Sequence, residues 1–154
     1  MPLFYYIQCM KKAFVFSRNG FNKFMKDNNI NNGNIPKDWA VVSIGEPFTK
    51  NCHYFKDADN VLNIDFWDVT DYYQDGYEGI NDDQARVAYN FIKQNIGKDF
   101  YIHCKAGVSR SQAFGRFLSD CFDYDAESVS GRIIHENIHV LNLLKRCWRN
   151  DADI

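Results

Sequence analysis

Phe100-Tyr101-Ile102-His103-Cys104-Lys105-Ala106-Gly107-Val108-Ser109-Arg110-Ser111 reads as three joined parts. Phe100–His103 is a short apolar run of the kind that forms a buried strand. Downstream, Phe114, Phe117, Leu118, Cys121 and Phe122 recur at i, i+3, i+4, i+7 and i+8, so an amphipathic helix begins near Ser109 or Arg110. Between them Cys104 and Arg110 stand at the two ends of a seven-residue span that contains Gly107. A loop that leaves a strand and enters a helix lies at the strand's carboxyl end, where α/β sheets bind ligands. Curled into a ring, these residues turn backbone N–H groups inward, present the positive end of the helix dipole, and close with a guanidinium. A tetrahedral dianion fits such a cradle, with the cysteine sulfur at its floor.

Outward from this loop, strands alternate with helices. Apolar runs at Ala13–Phe16, Ala40–Ile44 and Val61–Phe66 read as buried strands, with a short helix around Phe21–Lys26. The Asn-rich segment Asp27–Asp38 contains Asn32-Gly33 and Pro36 and reads as turns. Asn81, with Gln84 three residues on, forms a variant of the capping box. The helix it opens carries Ala85, Ala88, Phe91, Ile92 and Ile96 on one face, and Gly97 stops it. Two further helices are expected over about 126–135 and 138–149, the second with Leu141, Leu144 and Trp148 inward. The pattern predicts an α/β layer fold, a central sheet flanked by helices; the strand order is left open.

At 154 residues the chain reads as one domain, 1–154, with no repeat and no linker. Its formal net charge of −2 argues against a general nucleic-acid binder. The charge is uneven: residues 57–83 hold nine acids (Asp57, Asp59, Asp65, Asp68, Asp71, Asp75, Glu78, Asp82, Asp83) and no base. Such a stretch is a solvated surface, or a screen against polyanionic substrates beside a site. The cysteines, Cys9, Cys52, Cys104, Cys121 and Cys147, are odd in number and form no CxxC or metal spacing, as expected of a reduced, cytoplasmic protein. The apolar run Leu3–Ile7 is too short for a signal peptide and precedes Lys11 and Lys12; nothing approaches the roughly 20 apolar residues of a membrane span. Oligomeric state is not legible.

The chemistry of the loop follows from its residue types. The helix start, the permanent cation of Arg110 and a hydrogen bond from His103 all favour a thiolate at Cys104, a nucleophile that needs no separate base. Arg110 offers a planar fork to two phosphoryl oxygens. Gly107 permits a close approach, and Ser111 can donate to the sulfur as it leaves. The phosphate contacts expected are Lys105, Ala106, Gly107, Val108, Ser109 and Arg110.

His103, Cys104, Gly107, Arg110 and Ser111 match position by position the HCxxGxxR-Ser/Thr signature of the cysteine-dependent protein tyrosine phosphatase superfamily. The chain resembles that superfamily over about residues 40–145, and its Ala-Gly-Val-Ser-Arg-Ser run looks most like the small dual-specificity branch, especially compact bacterial and viral-type members. The resemblance implies a phosphatase-like α/β fold, no cofactor or metal, and hydrolysis through a cysteinyl phosphate. It also implies an upstream aspartate as general acid, which physics asks for independently, since an alkoxide or phenoxide leaves poorly without a proton. Asp68 is the first choice, because it follows the Val61–Phe66 strand and precedes the cysteine by 36 positions; Asp71 is second. Substrates of the superfamily include phosphotyrosine, phosphoserine and phosphothreonine, inositol lipids and RNA 5′ phosphates. Val108 stands where lipid phosphatases often carry a second lysine, so a phosphorylated protein is the expected partner. A phosphate-binding module without turnover is the alternative of another class. Tyr72, Tyr73 and Tyr77 either line the pocket mouth or pack on the body. Oxidation would pair Cys104 with Cys52 only if the fold brought them together.

Overall fold

The computed structural model describes residues 11–129 and 135–152. Leu3–Ile7, Cys9 and the centre of the expected 126–135 helix lie outside them. The chain runs β1 (Lys12–Ser17), α1 (Arg18–Asp27), β2 (Trp39–Gly45), β3 (Val61–Asp65), β4 (Tyr73–Gln74), β5 (Tyr77–Glu78), α2 (Asp82–Gln94), β6 (Asp99–Cys104), α3 (Arg110–Phe122), β7 (Asp125–Ser128) and α4 (Ile138–Ala152). Five strands form one sheet in the order β3-β2-β6-β1-β7, every pair parallel. Helices cover both faces, as a parallel sheet requires.

Period-two alternation sorts the core. Ala40, Val42 and Ile44 of β2 and Phe100 and Ile102 of β6 face a large cluster with α2, α3 and α4, built on Ile92, Phe114, Phe117, Leu118 and Leu144. Val41 and Tyr101 face the opposite cluster with Phe21 and Met25 of α1. Each fully buried Phe or Leu here contributes about 1.5–3 kcal/mol of burial. β6 is central, between β2 and β1, so Cys104 emerges between the carboxyl ends of its neighbours, with Ser17 as its register partner on β1.

The helix signals hold locally. Ser17 caps α1 by accepting from the Gly20 N–H, and Asn81 and Gln84 form the reciprocal capping box of α2. Three expectations are corrected. Residues 125–128 form an edge strand, not the start of a helix, because β1 offers them a parallel partner. Ile96 lies beyond the end of α2 and is 41% exposed. Trp148 is exposed, whereas Leu141 and Leu144 are buried: α4 outruns the body it packs on. The hairpin β4–β5 was not anticipated; Asp75 and Gly76 both take positive φ (52° and 87°) at its tip, the conformation that an Asp-Gly hairpin turn uses.

Candidate active site

The loop from Cys104 to Arg110 is held from outside by its carbonyls. Lys105 O accepts from Arg18 N (3.2 Å), Gly107 O from Gln112 Nε2 (3.0 Å), Val108 O from His135 N (3.3 Å), and Ser109 O from Ala113 N and Asn137 N (both 3.1 Å). None of the described peptides is cis. In a trans peptide the next N–H points opposite its carbonyl. The N–H groups of Ala106, Val108, Ser109 and Arg110 are therefore turned away from these outer partners. The Gly107 N–H marks where the ring converges, donating to Cys104 Sγ at 3.3 Å. Gly107 sits at φ 73°, and a Cβ there would lie 2.5 Å from Ser17 N and 2.7 Å from Phe16 C, both backbone atoms. Conformation and space each demand glycine.

Cys104 is 2% exposed, and its Sγ lies 3.0 Å from Ser111 Oγ on the first turn of α3. No side chain caps α3. Ser109, at the cap position, instead donates its hydroxyl to Asp68 Oδ1 at 2.8 Å. Asn137 Nδ2 donates to the same oxygen at 2.8 Å and to Val69 O at 3.0 Å. Asp68 is thus fastened to the loop's rim by two donors from different elements. Asp71 is exposed, and its Oδ1 accepts from the Tyr72 N–H at 2.8 Å.

Arg110 is almost fully buried, and its Nη1 makes three bonds, to Gly45 O (3.2 Å), Phe66 O (2.8 Å) and Glu46 Oε2 (3.1 Å). Its Nε is buried with no partner among the described residues. Arg18 grips the same carboxylate as a fork, Nη1 to Oε1 at 3.0 Å and Nη2 to Oε2 at 2.8 Å. Burial pushes the Glu46 carboxyl up, but the Arg18 hydrogen bonds and the Arg110 charge outweigh it and hold the group below the usual carboxylate range. Two guanidiniums share one carboxylate, so one buried positive charge stays unmatched within the cluster. A cavity of about 330 Å³ opens here, lined by Glu46, Trp67, Asp68, Val69, Tyr77 and Arg110.

The fold thus gathers Cys104, Gly107, Ser109, Arg110, Ser111 and Asp68. Lys105 is exposed, Ala106 and Val108 complete the ring, and His103 turns to the α1 face. The His103 side-chain bond runs sideways to Ser43 of β2, with 2.6 Å between Ser43 Oγ and Nε2, and not to the loop's side chains. Burial first, then the Arg18 and His53 charges, push its pKa down to about 3, so the ring is neutral. Of the tyrosines, Tyr77 lines the cavity edge-on to Trp67 (5.0 Å), Tyr72 packs on His139, and Tyr73 is exposed. Cys52 is a free, buried thiol aimed at Thr49 O (3.4 Å).

Glu46, Arg18 and Asn137 were missed from the sequence. Arg18 and Glu46 each follow the last residue of a parallel strand, the same rule that singled out Cys104. Asn137 had only its position before a helix to mark it. Among the described residues no cluster of three or more His, Cys, Asp or Glu is placed to hold a metal, and no helix is long and apolar enough to cross a membrane. No protein-family model, no curated protein and no solved structure matches this chain.

Proposed function

We propose that this protein hydrolyses phosphomonoesters through a cysteinyl phosphate, as in the protein tyrosine phosphatase superfamily that its loop resembles, with a phosphorylated protein as substrate. The observation that carries the reading is the buried, partnerless Nε of Arg110, beside an unmatched positive charge and a ring whose carbonyls are engaged outside. A phosphoryl dianion supplies what these groups lack.

The steps balance without a cofactor. The Cys104 thiolate attacks phosphorus and forms the S–P bond as the P–O bond to the leaving group breaks. The acid form of Asp68 gives that oxygen its proton. Asp68, now a carboxylate, takes a proton from water as the water oxygen attacks phosphorus. The S–P bond breaks, and the electron pair returns to sulfur with the Ser111 hydroxyl as donor. Arg110 and the loop N–H groups stabilise the equatorial oxygens in both steps.

The test is aryl phosphate hydrolysis without added metal, with vanadate as inhibitor. Cys104→Ser is expected to be inactive. Asp68→Ala loses about 10²–10⁴-fold in kcat, the usual worth of a general acid, and Asp71→Ala stays near wild type. Phosphate binding with no turnover in the wild type would make this a binding module. Preference for inositol phosphates or RNA 5′ ends over phosphotyrosine, phosphoserine and phosphothreonine peptides would overturn the substrate class.

A further inference from the structure

The β4–β5 hairpin walls one side of the cavity beside Arg110, through Tyr77. Backbone bonds fasten it to the segment that carries Asp68: Trp67 N donates to Glu78 O and Gly79 N to Tyr72 O, both at 2.9 Å. Gln74 Oε1 accepts from Thr70 N and Oγ1 at 3.2 and 3.3 Å. The hairpin is therefore a fixed part of the mouth. A phosphate seated on Arg110 carries its attached chain out past this wall.

Every residue from 71 to 78 is exposed. Neighbouring acids are engaged: Asp65 with His53, Asp82 with Arg146 at 3.8 Å, Asp83 with Arg86 at 3.1 Å. Asp71, Asp75 and Glu78 have no ion pair among the described residues, and the Asp75 and Glu78 carboxylates make no hydrogen bond there. Asp75 stands at the hairpin tip. Glu78 is the cross-strand partner of Tyr73, so the two side chains leave the same face, and the Tyr73 ring is 65% exposed. Of the loop's cations, Arg110 is engaged on Glu46, and Lys105 lies at the end of the ring whose carbonyl accepts from Arg18 N.

Unpaired surface acids alone are solvated charge. Here a second observation joins them: Arg110 Nε, buried without a partner, belongs to the same cavity as Tyr77 and calls for an anion. A cavity whose floor takes an anion, and whose rim repels one, suits a ligand that carries both signs: a phosphate on an otherwise positive chain. A guanidinium beside the hairpin finds the Glu78 carboxylate with the face of the Tyr73 ring next to it, a setting that fits its planar, weakly hydrated group. An extended chain rises about 3.3 Å per residue, so side chains two or three positions from the phosphorylated residue come alongside a hairpin whose strands are two residues long.

We infer that the β4–β5 hairpin selects phosphorylated protein segments that carry arginine or lysine two or three positions from the phosphate, with Asp75 and Glu78 as the specificity-determining charges. The inference rests on the hydrolysis reading for the phosphate and adds the class of segment that presents it.

The experiment compares three phosphotyrosine peptides of one length, with Arg, Gln or Asp at the second and third positions on each side of the phosphotyrosine. It reads kcat/KM on the wild-type chain, and Kd by fluorescence anisotropy on Cys104→Ser. The expected order is Arg, Gln, Asp, with about tenfold or more between the first and last at low salt, since each exposed pair is worth roughly 1.5- to 5-fold. At about 1 M salt, where the screening length is about 3 Å, the gap is expected to close to within about twofold. Asp75→Asn combined with Glu78→Gln is expected to remove most of the gap and leave aryl phosphate hydrolysis unchanged. Neither residue lines the cavity, and asparagine accepts the positive φ of position 75. Equal values for the Arg and Asp peptides, a better Asp peptide, or an Arg preference that the double variant keeps would each overturn the inference. Preferential binding of the Arg peptide without any aryl phosphate turnover would sink the hydrolysis reading and leave the hairpin's selection standing. Turnover of all three peptides at one rate would do the reverse, and binding of none would overturn both.

Discussion

Arg110 divides its guanidinium between two tasks. Nη1 is spent on Glu46 and two strand-end carbonyls, which fixes the plane of the group. Nε, on another edge, is left without a partner. A lysine has no second edge to offer: its ammonium is a point charge that can serve the anchor or the ligand, not both in a fixed plane. Arg110→Lys is therefore expected to lower kcat/KM for aryl phosphate by about 10²-fold or more while leaving alkylation of Cys104 measurable. Equal activity in the lysine variant would show that the fork has no part in catalysis. Cys104 and Arg110 are legible from sequence because their spacing is local. Glu46, 64 residues before Arg110, is not.

At the scale of elements, the loop's shape is imposed by neighbours and not by its own propensity. Four of its carbonyls are claimed by α1, α3 and the segment 135–137, and β1 crowds Gly107. Asn137 joins two elements: its Oδ1 accepts from Val140 N at 3.1 Å in the first turn of α4, while its Nδ2 holds Asp68. Asn137→Ala is expected to cost about 1 kcal/mol of stability, the usual worth of a cap, together with activity. Asn137→Asp separates the two roles, keeping the cap acceptor but setting a second carboxylate against Asp68. Its thermal midpoint should stay close to wild type while kcat falls about ten- to a hundredfold. A fall in stability with unchanged kcat would remove Asn137 from the site. The strand β7 was misread for a related reason. Asp-Ala-Glu-Ser has no β pattern of its own, and its pairing with β1 comes from a segment more than 100 residues earlier. α2 and α3, whose apolar spacing is local, were legible.

At the scale of the whole molecule, the site sits between the two cores, with Cys104 in the α2–α3–α4 cluster and His103 on the α1 side. That arrangement has a cost in acid. His103 takes up its proton at about pH 6.5 when unfolded but is pushed down to about 3 when folded. The unfolded chain therefore binds the extra proton first as pH falls, and stability declines from about pH 6.5 towards 3, by about 1.4 kcal/mol per pH unit at full effect. Glu46 adds to the loss below the usual carboxylate range, because its folded form holds on to its negative charge. Urea unfolding at pH 7, 6, 5 and 4 measures the slope. A flat profile over pH 6 to 4 would mean that His103 is not held neutral by burial.

The amino-acid sequence by itself determined the strand–loop–helix around Cys104, the alternation that makes an α/β sheet, and the capping box of α2. Each of these depends on residues a few positions apart, within reach of local hydrogen bonds and side-chain periodicity. Only the tertiary structure decided the strand order, the placement of Asp68 at the loop's rim, the shared carboxylate of Glu46, and the hydrogen bonds that join Asp65, His53, Ser43 and His103. Those contacts join segments 10 to 69 residues apart. Which of many carboxylates and hydroxyls meet across such distances depends on sheet register and on the packing of buried faces, not on any pattern within a single element.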